Sequence, residues 1–157
     1  MDSLRVPKRP ADVDILHADG SSSRARLFLA ECAGNHDGPE TLGDLLSASD
    51  FLPAVDVDGG PMSWLAVGGI AMVTAARALG QGDDAADLLL PEEHELELVL
   101  SNGQAIRGLA SYVRPPQAAR LTDFLNDRRP FLRLLVGEEV AYVNKRHVLK
   151  VVAHDGE

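Results

Sequence analysis

Three side chains that can hold a metal or exchange protons lie within the stretch NHDGPE: His36, Asp37 and Glu40. An imidazole beside two carboxylates is typical of a metal site or an acid–base pair, which would make the protein a metal-dependent enzyme. The same stretch also suits a helix start, with Asp37 as N-cap and Pro39 in the first turn. No H-x-x-x-H spacing occurs among the histidines, so capping is the preferred interpretation, and no metal or cofactor is expected.

A second polar group lies nearer the end of the chain. Arg128 and Arg129 end a predicted helix, and Asn144, Lys145 and Arg146 lie at a corner between two predicted strands. Guanidinium, ammonium and amide groups together can bind an anion, although surface solvation and the helix C-terminus also explain the arginines. These five residues are predicted to form a ligand- or partner-binding group, and no catalytic residue is predicted.

Motifs of several enzyme classes are missing. The stretch VGGIAMVTAARALGQG lacks the G-x-G-x-x-G pattern of dinucleotide sites, and no G-x-x-x-x-G-K-[ST] or G-x-S-x-G occurs. Cys32 is the single cysteine, so an internal disulfide and a multi-cysteine zinc site are both excluded. The sequence therefore argues against nucleotide-dependent and serine-hydrolase chemistry.

Charge and composition restrict the partners. The net charge is −9, which argues against nucleic acid, because phosphate binding needs basic side chains. Residues 1–75 hold 5 basic and 11 acidic side chains, whereas residues 96–157 hold 9 and 7. This contrast predicts head-to-tail self-association as a homo-oligomer. No apolar run is long enough to span a bilayer, and the first residues lack a secretory pattern, so a cytoplasmic protein is expected.

The first and second parts of the sequence have similar segments in the same order. VDILHADG (13–20) matches LELVLSNG (96–103) in its turn and in two of its three apolar positions. WLAVGGIAMV (64–73) lies over YVNKRHVLKV (142–151), and a short amphipathic helix precedes this region in both copies. The consistent order predicts an internal duplication.

Each copy is predicted to run strand, strand, short helix, strand, strand, strand. Alternating apolar residues indicate the strands, and Asn-Gly or Asp-Gly pairs indicate the turns. A sheet this short must curl to hide its edges. The predicted fold is mainly β (α+β), with two tandem five-stranded barrels of SH3-like or Sm-like type, each with an inserted short helix. Residues 1–75 and 94–157 would form the barrels, and residues 76–93 a partly helical linker.

The second copy resembles Sm/Hfq proteins in the stretches LVLSNGQAIRGLASY and VAYVNKRHVLKVV. That resemblance implies a small barrel whose corner, residues 144–147, lines a nucleic-acid surface. The corner of the first copy reads Ala-Val-Gly-Gly (66–69) and has no such polar groups. The chain also resembles a family of uncharacterised bacterial proteins with tandem GPE…DLL and RLTDFLN…VNK segments, a resemblance that implies no chemistry.

The expected function is a non-enzymatic protein-interaction, scaffold or regulatory module with a protein partner. An Sm-like protein that binds RNA or an anionic ligand through the basic group is the alternative. A metal-dependent enzyme around His36, Asp37 and Glu40 is a further alternative. No membrane partner is expected.

Overall fold

The computed structural model describes residues 8–31, 38–80, 92–112 and 121–154. These residues form ten strands and two short α-helices, so the protein is mainly β. The first half contains β1 Lys8–His17, β2 Ser22–Ala30, α1 Leu42–Ala48, β3 Phe51–Asp56, β4 Ser63–Ala66 and β5 Ile70–Ala76. The second half contains β6 Glu92–Leu100, β7 Ala105–Tyr112, α2 Leu121–Leu125, β8 Phe131–Val136, β9 Glu139–Asn144 and β10 Val148–Ala153.

All ten strands belong to one antiparallel sheet, in the order β10-β6-β7-β8-β9-β5-β1-β2-β3-β4. The prediction of two separate five-stranded barrels is wrong. The reason is the pairing of β5 with β9, which joins the two five-stranded sets edge to edge into an open sheet. Neither half closes into a barrel, and one edge of each five-stranded set is covered by the other half.

The two halves share their internal order, since β5-β1-β2-β3-β4 has the same topology as β10-β6-β7-β8-β9. Each half also has a 3-10 turn before its last strand, Val67–Gly69 and Lys145–His147. Backbone hydrogen bonds recur with them: Ala18 N donates to Gly69 O and Ser101 N to His147 O, both at 2.8 Å. We call residues in the same place of the two halves counterparts.

Alternating side chains build these strands. In β6, Leu96, Leu98 and Leu100 are buried, whereas Glu97 and Val99 between them are half-buried. Successive side chains of a strand point to opposite faces, so this sequence places one apolar row against the core. The same period places Val13 and Ile15 of β1 in the core.

Two clusters of buried apolar side chains form the core, and the halves share them. The first cluster lies mainly in the first half but takes Phe131, Val140 and Tyr142 from the second. The second cluster takes Leu16 and Ala71 from the first half. Each buried large apolar side chain contributes about 1.5–3 kcal/mol, so the two halves stabilise each other.

Helix α1 begins at a different residue from the one predicted. Thr41 is the N-cap: its Oγ1 accepts from Asp44 N at 3.1 Å, and Asp44 Oδ2 accepts from Thr41 N at 2.9 Å. This reciprocal capping box satisfies two backbone donors, which explains the start at Leu42. The predicted cap, Asp37, lies outside the described residues.

The predicted linker, residues 76–93, is only partly described. A 3-10 turn, Arg77–Gly80, follows β5, and β6 already begins at Glu92; residues 81–91 lie outside the described residues. A Cβ on Gly80 would lie 2.9 Å from Val140 Cγ2, so this turn packs directly on β9. None of the described helices is long and apolar enough to cross a membrane.

Truncation of Phe124 tests whether α2 is docked on the second core cluster. Phe124 is buried in that cluster, so Phe124→Ala should lower the free energy of unfolding by about 3 kcal/mol or more. Phe51→Ala, the same change at an exposed site, should cost less than about 1 kcal/mol. Urea unfolding of dilute protein measures both values, and equal losses would mean that α2 is not docked.

Candidate interaction surface

The sheet ends in two edges, β4 and β10, and each of these strands pairs with one neighbour among the described strands. An edge strand presents backbone N–H and C=O groups that can pair with another chain. The β5–β9 pairing, which we call the junction, shows how the same kind of edge looks when it is covered. Residues that are exposed at the edges while their counterparts are buried at the junction form the candidate surface.

At the junction, β5 and β9 pair antiparallel over five residue pairs, from Met72↔Val143 to Ala76↔Glu139. Tyr142 lies opposite Val73 and is only 2% exposed. Val140, opposite Ala75, is fully buried. The junction therefore excludes water from large side chains as well as pairing the backbones.

A buried amide closes one end of the junction. Asn144 Nδ2 donates to Ile70 O at 2.9 Å and Val67 O at 3.4 Å, and Asn144 Oδ1 accepts from Arg146 N at 3.0 Å. Nearby, His147 Nε2 donates to Gly68 O at 2.7 Å. These bonds hold the 3-10 turns of the two halves against each other.

The β4 edge exposes the residues that the junction buries. The register of β4 on β3 repeats that of β9 on β8, since Trp64 pairs with Pro53 and Tyr142 with Arg133. Trp64 is therefore the counterpart of Tyr142, yet it is 63% exposed. Met62 and Phe51 are exposed in the same way, whereas their counterparts, Val140 and Phe131, are buried.

The β10 edge shows the same contrast. Leu149 is 69% exposed, and its counterpart in β5, Ala71, is buried. The structure describes five exposed large hydrophobic side chains. Trp64 and Leu149 lie on the edge strands, Met62 directly precedes β4, Phe51 lies on β3 opposite Ala66, and Leu109 lies on β7, away from the edges. These apolar groups make the two ends of the sheet the candidate interaction surface. We call β4 together with Met62 and Phe51 the β4 edge, and β10 the β10 edge.

The basic group predicted from the sequence surrounds one carboxylate. Arg129 donates to Asp127 Oδ2 through Nε at 3.0 Å and Nη2 at 2.8 Å. Lys145 Nζ donates to Asp127 Oδ1 at 2.9 Å. Burial of Asp127 acts to raise its pKa, but the hydrogen bonds from Lys145 and Arg129 outweigh burial and hold the pKa below its usual value. The corner and the helix end are thus brought together by an acidic residue.

The five predicted binding residues do not form a uniform surface. Arg128, Arg129 and Arg146 are exposed, Lys145 is half-buried, and Asn144 is buried in the junction. Arg129 also lies 5.3 Å from the centre of the Phe124 ring. Asn144 and Lys145 make contacts that hold the fold, and ligand binding by the group stays a prediction.

The predicted acid cluster is only partly described, since His36 and Asp37 lie outside the described residues. Glu40 Oε1 accepts from Ala30 N at 2.9 Å, and Glu40 O accepts from Arg9 Nη2 at 2.9 Å. Glu40 therefore ties α1 to β2. Within residues 8–31, 38–80, 92–112 and 121–154, no three His, Cys, Asp or Glu side chains come together to hold a metal ion.

A cleft of about 290 Å³ opens at the junction, between α1 and the strands β8 and β9. Its lining includes Asp44, Ser47, Arg129, Phe131 and Tyr142. Neither this cleft nor the two edges was predicted from the sequence. The available signal was the matched position of Trp64 and Tyr142, two aromatic residues at the same place in the aligned segments 64–73 and 142–151.

No protein-family model, curated protein or solved structure matches the chain.

Removal of the Asn144 amide tests how the junction is held. Asn144→Ala leaves the buried Ile70 carbonyl without its side-chain donor, so the free energy of unfolding should fall by about 1–3 kcal/mol. Asn126→Ala is the matched control, because Asn126 is exposed and its amide donates within its own helix. Thermal or urea unfolding compares the variants, and a smaller loss for Asn144→Ala than for the control would contradict this role.

Proposed function

We propose that the protein is a non-enzymatic interaction module that binds an extended polypeptide strand along the β4 edge. The observation that carries the proposal is the exposure of Phe51 and Trp64, whose counterparts at the junction are buried. Backbone groups of β4 would pair with the incoming strand, and the aromatic side chains would cover its apolar residues.

The exposed side chains of this edge share a face. Met62 and Trp64 are two residues apart, so they point to the same side of an extended chain. Their counterparts, together with that of Phe51, all belong to the first core cluster. A bound strand with apolar residues at alternate positions would meet this face.

The β4 edge has enough apolar area for a specific contact. Phe and Trp side chains bury roughly 150–250 Å² each when fully covered. At about 25 cal/mol per Å², covering the exposed part of either ring contributes on the order of 2 kcal/mol. Since β4 spans only four residues, Ser63–Ala66, the side chains supply much of the binding free energy.

The wider predictions made from the sequence remain part of this proposal. We propose that the halves descend from one duplicated unit, supported by their shared strand order and their recurring hydrogen bonds. We also propose that the protein acts in the cytoplasm.

A capture experiment separates this proposal from the RNA-binding alternative. Tagged protein is mixed with extract of its native cell, and bound polypeptides other than this chain are identified by mass spectrometry. Trp64→Ser should lose a partner that the wild type retains, because the exposed ring is the anchor of the β4 edge. Leu109→Ser, which alters an exposed apolar residue away from the edges, should retain it.

The basic group is tested in the same series with Arg128→Ser/Arg146→Ser. This variant should capture the same partner as the wild type, and filter binding at low salt should show no retained mixed RNA oligomers. RNA retention that depends on the two arginines, or a partner indifferent to Trp64→Ser, would contradict the proposal.

A further inference from the structure

We infer that the strand bound along the β4 edge is β10 of a second copy, so that chains join head to tail. This inference rests on the proposed function, because it names the partner of the same edge. The junction inside the chain would then be repeated between chains.

The topology supplies the template for this contact. At the junction, β5, the last strand of the first half, pairs with β9, the fourth strand of the second half. The two outer edges are the complementary strands: β10 is the last strand of the second half, and β4 is the fourth strand of the first. Each molecule therefore ends in the same two kinds of edge that it joins in its centre.

The junction also supplies the register. The turn Lys145–His147 lies 78 residues after the turn Val67–Gly69, so counterparts near these turns differ by 78 in residue number. The counterparts of Val73 and Tyr142, which pair at the junction, are Val151 and Trp64, and these would lie opposite each other between chains. In the same way, Thr74↔Ala141 translates to Val152 opposite Ser63. An aromatic residue faces a valine at both contacts, so the side-chain chemistry of the junction is kept.

Exposure on both strands agrees with a missing neighbour. In β9, every residue after Glu139 is buried, whereas β4 is exposed except for the half-buried Leu65. In β10, no residue is buried, whereas β5 alternates buried and half-buried residues over most of its length. The two edges thus lack the same cover, and each carries the side chains that the other requires.

We call the proposed pairing of β4 with β10 of a second copy the outer contact. Two residue differences between the halves distinguish it from the junction. Ala66 stands in place of Asn144, so the amide bonds that close the junction cannot form between chains. Pro61 stands in place of Glu139 and has no N–H for the ladder. The outer contact should therefore be weaker than the junction, as suits association between separate chains.

Charge favours the head-to-tail arrangement over a symmetric pairing of like edges. The exposed Lys150 lies near the middle of β10, and by the register above it would face the uncharged Leu65 of β4. Pairing β10 with another β10 would bring basic groups together, and like charges placed opposite each other are destabilising. A heterologous contact of this kind produces a ring when its rotation closes and an open chain otherwise.

A mixed cross-linking experiment tests the pairing directly. Two proteins are made in a Cys32→Ser background, one with Ser63→Cys and one with Val152→Cys, and are mixed under mild oxidation. These residues would be direct partners across the outer contact, at a Cα separation that a disulfide can span. With the two proteins at equal concentration, the mixed disulfide should exceed each self-disulfide by well over the roughly twofold ratio that random pairing produces. Excess of the Ser63→Cys self-product indicates β4–β4 pairing, excess of the Val152→Cys self-product indicates β10–β10 pairing, and either result overturns the inference.

Self-association also has an intrinsic optical probe, because Trp64 is the single tryptophan. As concentration rises, its emission should shift to the blue together with the growth of larger species in sedimentation velocity. Leu149→Asp should raise the dissociation constant about tenfold or more, and Leu109→Asp should leave it unchanged.

The outcomes separate this inference from the proposed function. A chain that stays monomeric at millimolar concentration, with emission independent of concentration, overturns the inference. The proposed function still stands in that case if Trp64→Ser abolishes capture of a different polypeptide. If Trp64→Ser alters neither capture of another polypeptide nor self-association, both the inference and the proposed function are wrong.

Discussion

The pairing of β5 with β9 is the interaction on which the rest of the structure depends. It converts two five-stranded sets into one sheet and places Tyr142 and Val140 of the second half in the core of the first. Small β units have difficulty hiding both of their edges, because every uncovered strand leaves backbone groups unpaired. Here one edge of each half is hidden by the other half, and the remaining edges lie at opposite ends of the strand order.

This arrangement explains why the exposed apolar residues lie where they do. The halves have the same topology, so the aromatic residues by which β9 and β8 cover the first core cluster have counterparts at β4 and β3. Trp64 and Phe51 occupy the places of Tyr142 and Phe131, and retain their aromatic character without their cover. The proposed self-pairing through the edges would reuse the geometry of the junction and would need no additional binding site.

The sequence was informative about local structure and much less so about assembly. The alternating residues of β6 and the matched segments 64–73 and 142–151 predicted strands that the structure contains, including β5. The joining of the halves was missed because alternation shows which residues of a strand are buried, and does not show which strand lies beside it. Thr41 was also missed as a cap, because its partner at the third helical residue is Asp44, whereas the usual capping box has Glu or Gln there.

The candidate site was harder to predict than the fold. The polar and basic residues predicted as the site include Asn144 and Lys145, and the structure uses both in internal hydrogen bonds. The surface that the geometry favours consists of apolar residues, which a single sequence presents as ordinary core. Their exposure becomes visible only once the strand order places β4 and β10 at the ends of the sheet.

Amide hydrogen exchange followed over a range of protein concentrations tests the central claim most directly. The outward-facing amides of Ser63–Ala66 and Val148–Ala153 are those that do not bond to β3 or β6. The account predicts that they exchange fast in dilute protein and slow together in both strands as concentration rises. Exchange in β5 and β9 should be slow throughout, because the junction lies within the chain. Protection of these outward-facing amides in dilute protein, or their lack of protection at every concentration, would contradict it.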